Sequence, residues 1–170
     1  MTTTKKMSAE IIQFPSRQQA ESPLQGKVQY LIGVMYEYGY GVDVDLTQAM
    51  HWYRGAAEQG LAEAQNSIGF MYVLGAGVER DMQEAAYWLE LAAKQGNSAA
   101  QTNLAILYTT GHGVPQDNDE AVHWFRSAAR SGNSQAQALL GKAYSCGWYG
   151  LPQDRIQAEF WNSRAEAANS

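Results

Sequence analysis

The feature that most constrains the fold of this chain is a period of 36 residues. Tyrosine, and glycine three residues later, recur at that spacing, at Tyr36, Tyr72, Tyr108 and Tyr144 and at Gly39, Gly75, Gly111 and Gly147. Trp52, Trp88 and Trp124 keep the same step, and Trp161 comes one residue late, after an insertion between Gly147 and Gly150. Such a period is typical of stacked supersecondary units. It predicts four units, over 25–60, 61–96, 97–132 and 133–170, preceded by a flexible or capping leader over 1–24.

Each unit is predicted to hold two helices. In the first helix, Val28, Ile32, Met35 and Tyr36 form one apolar stripe, and a Gly-x-Gly-Val turn then ends the helix. The stripe predicted for the second helix consists of Ala49, Trp52, Tyr53, Ala56 and Ala57. One helix pair cannot bury both stripes alone, whereas stacked pairs can. The predicted fold is therefore all-α: an α/α superhelical solenoid of eight helices, with the tryptophans in its core.

Capping signals mark where these helices begin. Aspartates at Asp45, Asp81, Asp117 and Asp154 are each followed three residues later by Gln or Glu, which is the spacing of a capping box. Ser98 with Gln101 and Ser134 with Gln137 have the same spacing, and so we predict Ser98 and Ser134 as the caps of their first helices. In the last unit, Asn162 and Glu166 replace apolar residues of the inner stripe. A polar outer face is what a terminal repeat needs, so we expect the stack to end there.

Residues 97–132, which read NSAAQTNLAILYTTGHGVPQDNDEAVHWFRSAARSG, resemble the Sel1-like repeat, a relative of the tetratricopeptide repeat. The resemblance covers every residue after the leader. It implies an adaptor for protein–protein contacts, often in bacterial signalling, cell-envelope or host-interaction settings. Some secreted members have one disulfide per repeat, whereas this chain has one cysteine and no secretory signal.

Composition and motifs argue against catalysis and against nucleic acid. The net charge is −5, and nucleic-acid binding depends on an excess of Lys and Arg. His51 and His123 are two units apart on a face predicted to be solvated, and His112 lies in a turn, so no metal site is predicted. No serine–lysine nucleophile motif or phosphate-binding glycine loop occurs. We therefore predict a protein that is not an enzyme and has no cofactor or metal.

No stretch of the sequence is long and apolar enough to cross a membrane. With the missing signal, this predicts a cytoplasmic, monomeric protein without membrane insertion. The outer face of the second helices, with Arg54 and Arg126 among its residues, is expected to be solvated only.

The candidate binding surface is the side of the first helices opposite the core stripe, predicted to be concave. Its residues differ from one unit to the next, and such variation is expected of a surface adapted to a particular partner. They are Tyr30, Asn66 and Thr102 in one row, Val34, Phe70, Ile106 and Lys142 in the next, and Tyr38, Leu74 and Thr110 in the third. Val34, Phe70 and Ile106 form an apolar strip, and such strips tend to mark interaction sites.

The predicted function is a non-catalytic adaptor that binds a protein or peptide segment on this face. Unit 61–96 has five acidic and two basic residues, so a basic or amphipathic helix is one candidate partner. The alternatives are an accessory of an envelope or peptidoglycan hydrolase, and an exported bacterial effector. Ile11, Ile12 and Phe14 of the leader allow three further hypotheses: a cap on the first unit, a self-ligand in the groove, or a plain tail.

Overall fold

The structure is a computed structural model that describes residues 23–168. Eight α-helices and no strand occur in that range: α1 (Pro23–Tyr38), α2 (Leu46–Glu58), α3 (Ala62–Leu74), α4 (Met82–Lys94), α5 (Ser98–Thr110), α6 (Asn118–Arg130), α7 (Ser134–Cys146) and α8 (Arg155–Ala167). A 3₁₀ turn, Trp148–Gly150, lies between α7 and α8. Each helix packs mainly against its neighbours in the chain. The predicted all-α solenoid of four helix pairs is confirmed.

The second helix of each repeat begins after an aspartate, as the sequence predicts. In α2, Oδ1 of Asp45 accepts a hydrogen bond from the backbone N–H of Gln48, with 2.9 Å between the heavy atoms. The equivalent bonds in α4, α6 and α8 have lengths of 3.0, 3.0 and 3.1 Å. Each carboxylate satisfies a backbone donor that has no partner within the first helical turn.

The prediction that Ser98 caps α5 is wrong. Asn97 is the N-cap: its backbone is extended, and its Oδ1 accepts a hydrogen bond from the N–H of Ala100 at 2.9 Å. Ser98 is the first helical residue, so its hydroxyl lies too far along the helix to act as the cap. Gln101 has another role, because its Nε2 donates to the backbone oxygen of Ala93 at 3.1 Å.

Small residues let the two helices of one repeat approach closely. A Cβ placed on Gly33 of α1 would lie 2.5 Å from the ring of Tyr53 in α2. A Cβ on Gly69 would lie 2.6 Å from Cγ of Leu89. Tyr53 and Leu89 are accordingly among the largest side chains that are completely buried. The core of the first two repeats thus sets one large side chain against a glycine of the facing helix.

The tryptophan column is less buried than the sequence predicts. Trp52, Trp88 and Trp124 are half-buried, and only Trp161 reaches the buried class. Nε1 of Trp88 donates to Oε2 of Glu84 on its own helix, at the solvent edge. The physical reason is helical phase: the residue after each of these three tryptophans, Tyr53, Leu89 or Phe125, occupies the completely buried position, and the indole lies to one side of it.

Successive repeats are joined through buried glutamines. Gln65, Gln101 and Gln137 each donate from Nε2 to a backbone oxygen near the end of the preceding repeat's second helix, at 3.4, 3.1 and 3.0 Å. Gln65 also accepts a hydrogen bond from Nε2 of Gln95 at 2.7 Å. Because a buried amide needs partners, these bonds define the register of one repeat on the next.

The turns after the first helices also contact the preceding repeat. A Cβ on Gly113 would lie 1.9 Å from the backbone oxygen of Met82, so only glycine fits there. In the fourth repeat this position holds Tyr149, with a φ of 58°, and its ring packs against Phe125 with 5.8 Å between centroids. The insertion found in the sequence therefore replaces a glycine contact by an aromatic one.

The core stripe predicted for α1 is only partly buried. Val28 and Met35 are 48% and 38% exposed, whereas their equivalents in α3, Ala64 and Met71, are buried. The physical reason is position in the stack: α3 packs against α2 of the preceding repeat, while no described residues precede α1. The expectation that Val28 and Met35 belong to the core is therefore wrong for the residues that the structure describes.

Candidate functional site

The predicted binding surface contains exposed apolar side chains in its first half. Tyr38, at the end of α1, is 59% exposed, and Phe70 and Leu74, one turn apart on α3, are 44% and 60% exposed. The ring of Tyr38 stacks on that of Tyr40, with 5.8 Å between centroids. Large apolar groups held in water on adjacent repeats are the property expected of an interaction site.

Three other predicted residues belong partly to the core. Val34 and Tyr30 pack against the cluster around Tyr53, and the rings of Tyr30 and Tyr53 lie 5.4 Å apart. Ile106 packs against the cluster around Phe125. These side chains are half-buried. Of the predicted strip of Val34, Phe70 and Ile106, Phe70 is therefore the exposed member.

The expectation that Thr102 is exposed is wrong. Thr102 is 1% exposed, and its hydroxyl donates to the backbone oxygen of Ser98 at 2.9 Å. The row that contains Tyr30 and Thr102 lies closer to the packed side of the first helices than a helical wheel predicts, and the contact between Tyr30 and Tyr53 shows the same. Asn66 of the same row is half-buried, and its Oδ1 accepts from Nδ2 of Asn103 at 3.4 Å.

The second half of the surface is polar and cationic. Thr110 is exposed, and its hydroxyl donates back to the oxygen of Ile106 at 3.1 Å. Lys142 of α7 is exposed, and its Nζ lies 5.0 Å from the ring centroid of Trp148 in a cation–π contact. Trp148 belongs to the insertion of the fourth repeat, and it was not among the predicted site residues. The surface thus changes from apolar at α1 and α3 to cationic at α7.

A carboxylate lies beneath the apolar end. Glu37 of α1 is half-buried and accepts a hydrogen bond from the hydroxyl of Tyr53. Burial, and then the hydrogen bond to Glu37, raise the pKa of Tyr53. The charge of Glu37 also raises the pKa of Tyr38. Both phenols therefore stay protonated at neutral pH, and both hydroxyls interact with the carboxylate of Glu37.

The outer face of the second helices is more than a solvated surface. Nη2 of Arg54 donates to the hydroxyl of Tyr72 at 2.7 Å, and Arg126 makes the same bond to Tyr144 at 2.8 Å. Each bond joins one repeat to the next. The expectation that Arg54 and Arg126 are solvated only is therefore wrong.

An aromatic row on this outer face was missed at the level of sequence. Its members are His51, Tyr87, His123 and Phe160. The ring of each lies edge-on to the tryptophan that follows it in the chain, with centroid separations of 5.6, 5.4, 5.2 and 4.9 Å respectively. The signal was available, because these residues occupy one column of the repeat. Each of them is exposed and lies beside the tryptophan on its solvent side.

The described residues offer little that points to metal chemistry or to a membrane. Within residues 23–168, no three His, Cys, Asp or Glu side chains come together in a way that could hold a metal ion. None of the helices described is long and apolar enough to span a bilayer. The site consists instead of apolar, hydrogen-bonding and cationic side chains on the surface of a rigid stack.

The fold and this surface define an all-α helical-repeat protein of the solenoid class. The Sel1 repeat matches four times in succession, at residues 26–61, 62–97, 98–133 and 134–170. The chain belongs to the Sel1 repeat family, as its repeat pattern indicated. Proteins with these repeats are generally scaffolds for protein interaction. No curated protein matches the chain.

Solved structures give the same result. A Sel1 repeat protein from Oxalobacter formigenes is 35% identical over 84% of this chain, with a TM-score of 0.81. A protective antigen of uropathogenic Escherichia coli with an SLR fold is 40% identical over 85% of this chain, with a TM-score of 0.79. The match spans 58% of the first protein and 31% of the second. Cysteine-rich protein B of Helicobacter pylori, 18% identical over 69% of this chain and 88% of its own, shares the fold at a TM-score of 0.59.

Proposed function

We propose that this protein is a non-catalytic adaptor that holds a segment of another protein on the outward face of its first helices. The observation that carries the proposal is the exposure of Tyr38, Phe70 and Leu74 on adjacent repeats. Phe70 and Leu74 project from α3, whose opposite face is buried against α2 and α4, so contact with a partner there would leave the packing of that helix intact. Pre-organisation of this kind lowers the cost of binding.

The chemistry of the surface favours an amphipathic partner helix. An apolar face would contact Phe70 and Leu74, and a helix in a groove typically uses such anchors at every third or fourth residue. A basic group on that helix would be attracted by the half-buried carboxylate of Glu37. At the other end, Lys142 would attract an acidic group. The partner is therefore expected to be basic where it meets α1 and acidic where it meets α7.

A photo-crosslinking experiment tests this proposal. A photoreactive phenylalanine analogue replaces Phe70 in one variant and Tyr87, which is 55% exposed on α4, in a control variant. We expect a specific protein adduct from position 70 only. The substitution Phe70→Glu should abolish capture in a pull-down of that protein, Tyr87→Glu should leave it intact, and both should melt within a few degrees of the wild type.

Two results would contradict the proposal. If adducts form from position 87 and not from position 70, the outer face of the second helices is the binding surface. If Phe70→Glu prevents folding, Phe70 contributes to the core and not to a free surface. The cytoplasmic location and the monomeric state stay predictions, and no observation on the described residues favours the hydrolase-accessory or effector alternatives.

A further inference from the structure

An uncovered apolar stripe runs along α1. Its members are Leu24, Val28, Leu31 and Met35, whose side chains are 69%, 48%, 59% and 38% exposed. They follow one another at intervals of four, three and four residues, so they share one face of the helix. We call these four residues the α1 stripe. Four large apolar side chains in line along one helix are costly to leave in water, because the transfer of apolar surface out of water is favourable.

The other repeats show what this face is built for. In α3, the residues equivalent to Val28 and Met35 are Ala64 and Met71, and they are 0% and 3% exposed. They lie in one buried cluster with Ala56 of α2, the second helix of the preceding repeat. Val28 and Met35 therefore occupy the positions at which α3 packs on the preceding helix, and Leu31 lies beside them, with a half-buried equivalent in Ser67.

We propose that the N-terminal segment of this chain, through Ile11, Ile12 and Phe14, covers the α1 stripe. Residues 1–22 lie outside the described residues and precede α1 directly, as a second helix precedes the first helix of each following repeat. Ile11, Ile12 and Phe14 are the aliphatic and aromatic cluster of that segment. They supply large side chains of the type that the stripe lacks as neighbours.

The reach of the segment is sufficient. Phe14 lies nine positions before Pro23, where α1 begins. Nine extended residues span about 30 Å, at roughly 3.3 Å per residue. The 16 residues of α1 extend over about 24 Å, at roughly 1.5 Å per residue. Phe14 can therefore contact any member of the α1 stripe.

The segment is a better occupant than a second copy of the chain. A tethered segment competes at an effective concentration in the millimolar range. A symmetric dimer through this face would rely on four partly exposed side chains per copy, and stable protein interfaces bury about 800 Å² on each partner. One stripe on one helix presents only part of that area.

Thermal melts of the full chain, combined in a double-mutant cycle, test the proposal. Phe14→Ser and Leu31→Ser should each lower Tm, by roughly 2–4 °C for a loss of the order of 1 kcal/mol in a chain of this size. Combined, they should lower Tm by less than the sum of the single shifts, because either change already breaks the shared contact. The coupling separates contact with the segment from any change in the helix propensity of α1.

Two control variants are available in the chain. Gln13→Ser alters the N-terminal segment next to the apolar cluster and should leave Tm unchanged. Leu74→Ser alters an equally exposed leucine on α3, and its shift should add to that of Phe14→Ser without coupling. Additive shifts for Phe14→Ser and Leu31→Ser, or no shift for Phe14→Ser, would overturn the proposal. Sedimentation that shows a dimer broken by Leu31→Ser but not by Phe14→Ser would also overturn it, in favour of a second copy.

Discussion

At the residue scale, the joints between repeats differ in one hydrogen bond. At the joint between the first and second repeats, Gln65 uses both ends of its amide: Nε2 donates to Ala57, and Oε1 accepts from Gln95. At the next joint, Gln101 donates to Ala93, but its Oε1 has no protein partner. The sequence explains the difference, because the position of Gln95 is occupied by Ser131 in the following repeat. A serine side chain is too short to reach across.

We therefore expect Ser131→Gln to stabilise the protein. The new amide would donate to Oε1 of Gln101, and a hydrogen bond to a buried acceptor contributes about 0.5–1.5 kcal/mol. Urea unfolding measures the gain. The control is the same substitution in a Gln101→Leu background, where the gain should disappear. An equal gain in both backgrounds would mean that it comes from helix propensity and not from the bond.

At the scale of the element, helix ends decide where each repeat turns. The aspartate caps of the second helices follow a local rule, which is why sequence alone located them. The caps of α5 and α7 follow the same chemistry with asparagine: Asn97 and Asn133 each accept from the third residue of the helix at 2.9 Å. The sequence analysis placed these caps one residue too late, at Ser98 and Ser134, and the extended backbone of the asparagines assigns both caps to them.

Asn97→Ala should lower the free energy of unfolding by about 1 kcal/mol, because the N–H of Ala100 loses its acceptor. Ser98→Ala is the matched control, and we expect it to be neutral or slightly stabilising, since alanine is the better helix former. Chemical denaturation of the two variants measures both effects. A larger loss for Ser98→Ala than for Asn97→Ala would show that the cap had been assigned to the wrong residue.

At the scale of the whole molecule, stability is a sum over neighbouring repeats. Contacts in the described range join each helix mainly to the helices before and after it, so damage to one repeat weakens its neighbours first. Leu89 is the clearest place to test this, because it is completely buried and lies close to Gly69 of the facing helix.

Leu89→Ala should cost about 2–5 kcal/mol, as large-to-small changes in a packed core do. Hydrogen exchange should accelerate most in α3 and α4, then in the flanking repeats, and least in α8. Leu74→Ala, which truncates an exposed leucine, should change stability little and serves as the control. Uniform loss of protection along the whole chain would show that the stack unfolds as one unit.

Sequence alone determined what repeats. The period of 36, the two helices per unit, the aspartate caps and the insertion before Gly150 all follow from local preferences of the chain. Hence the fold class and the number of units could be predicted. The exposure of Phe70, Leu74 and Tyr38 was also expected from helical phase, whereas their role in binding stays a prediction.

Only the tertiary structure decided which surfaces are covered. A helical wheel predicts the buried side of a helix only to within about one residue. Because of that error, the sequence analysis did not distinguish buried Tyr53 from half-buried Trp52, and it predicted that buried Thr102 is exposed. The repeat period also does not indicate where a unit lies in the stack. Val28 and Met71 belong to equivalent stripes, yet Val28 is exposed and Met71 is buried. Burial depends on which neighbour is present, and that information belongs to the packed array and not to any single repeat.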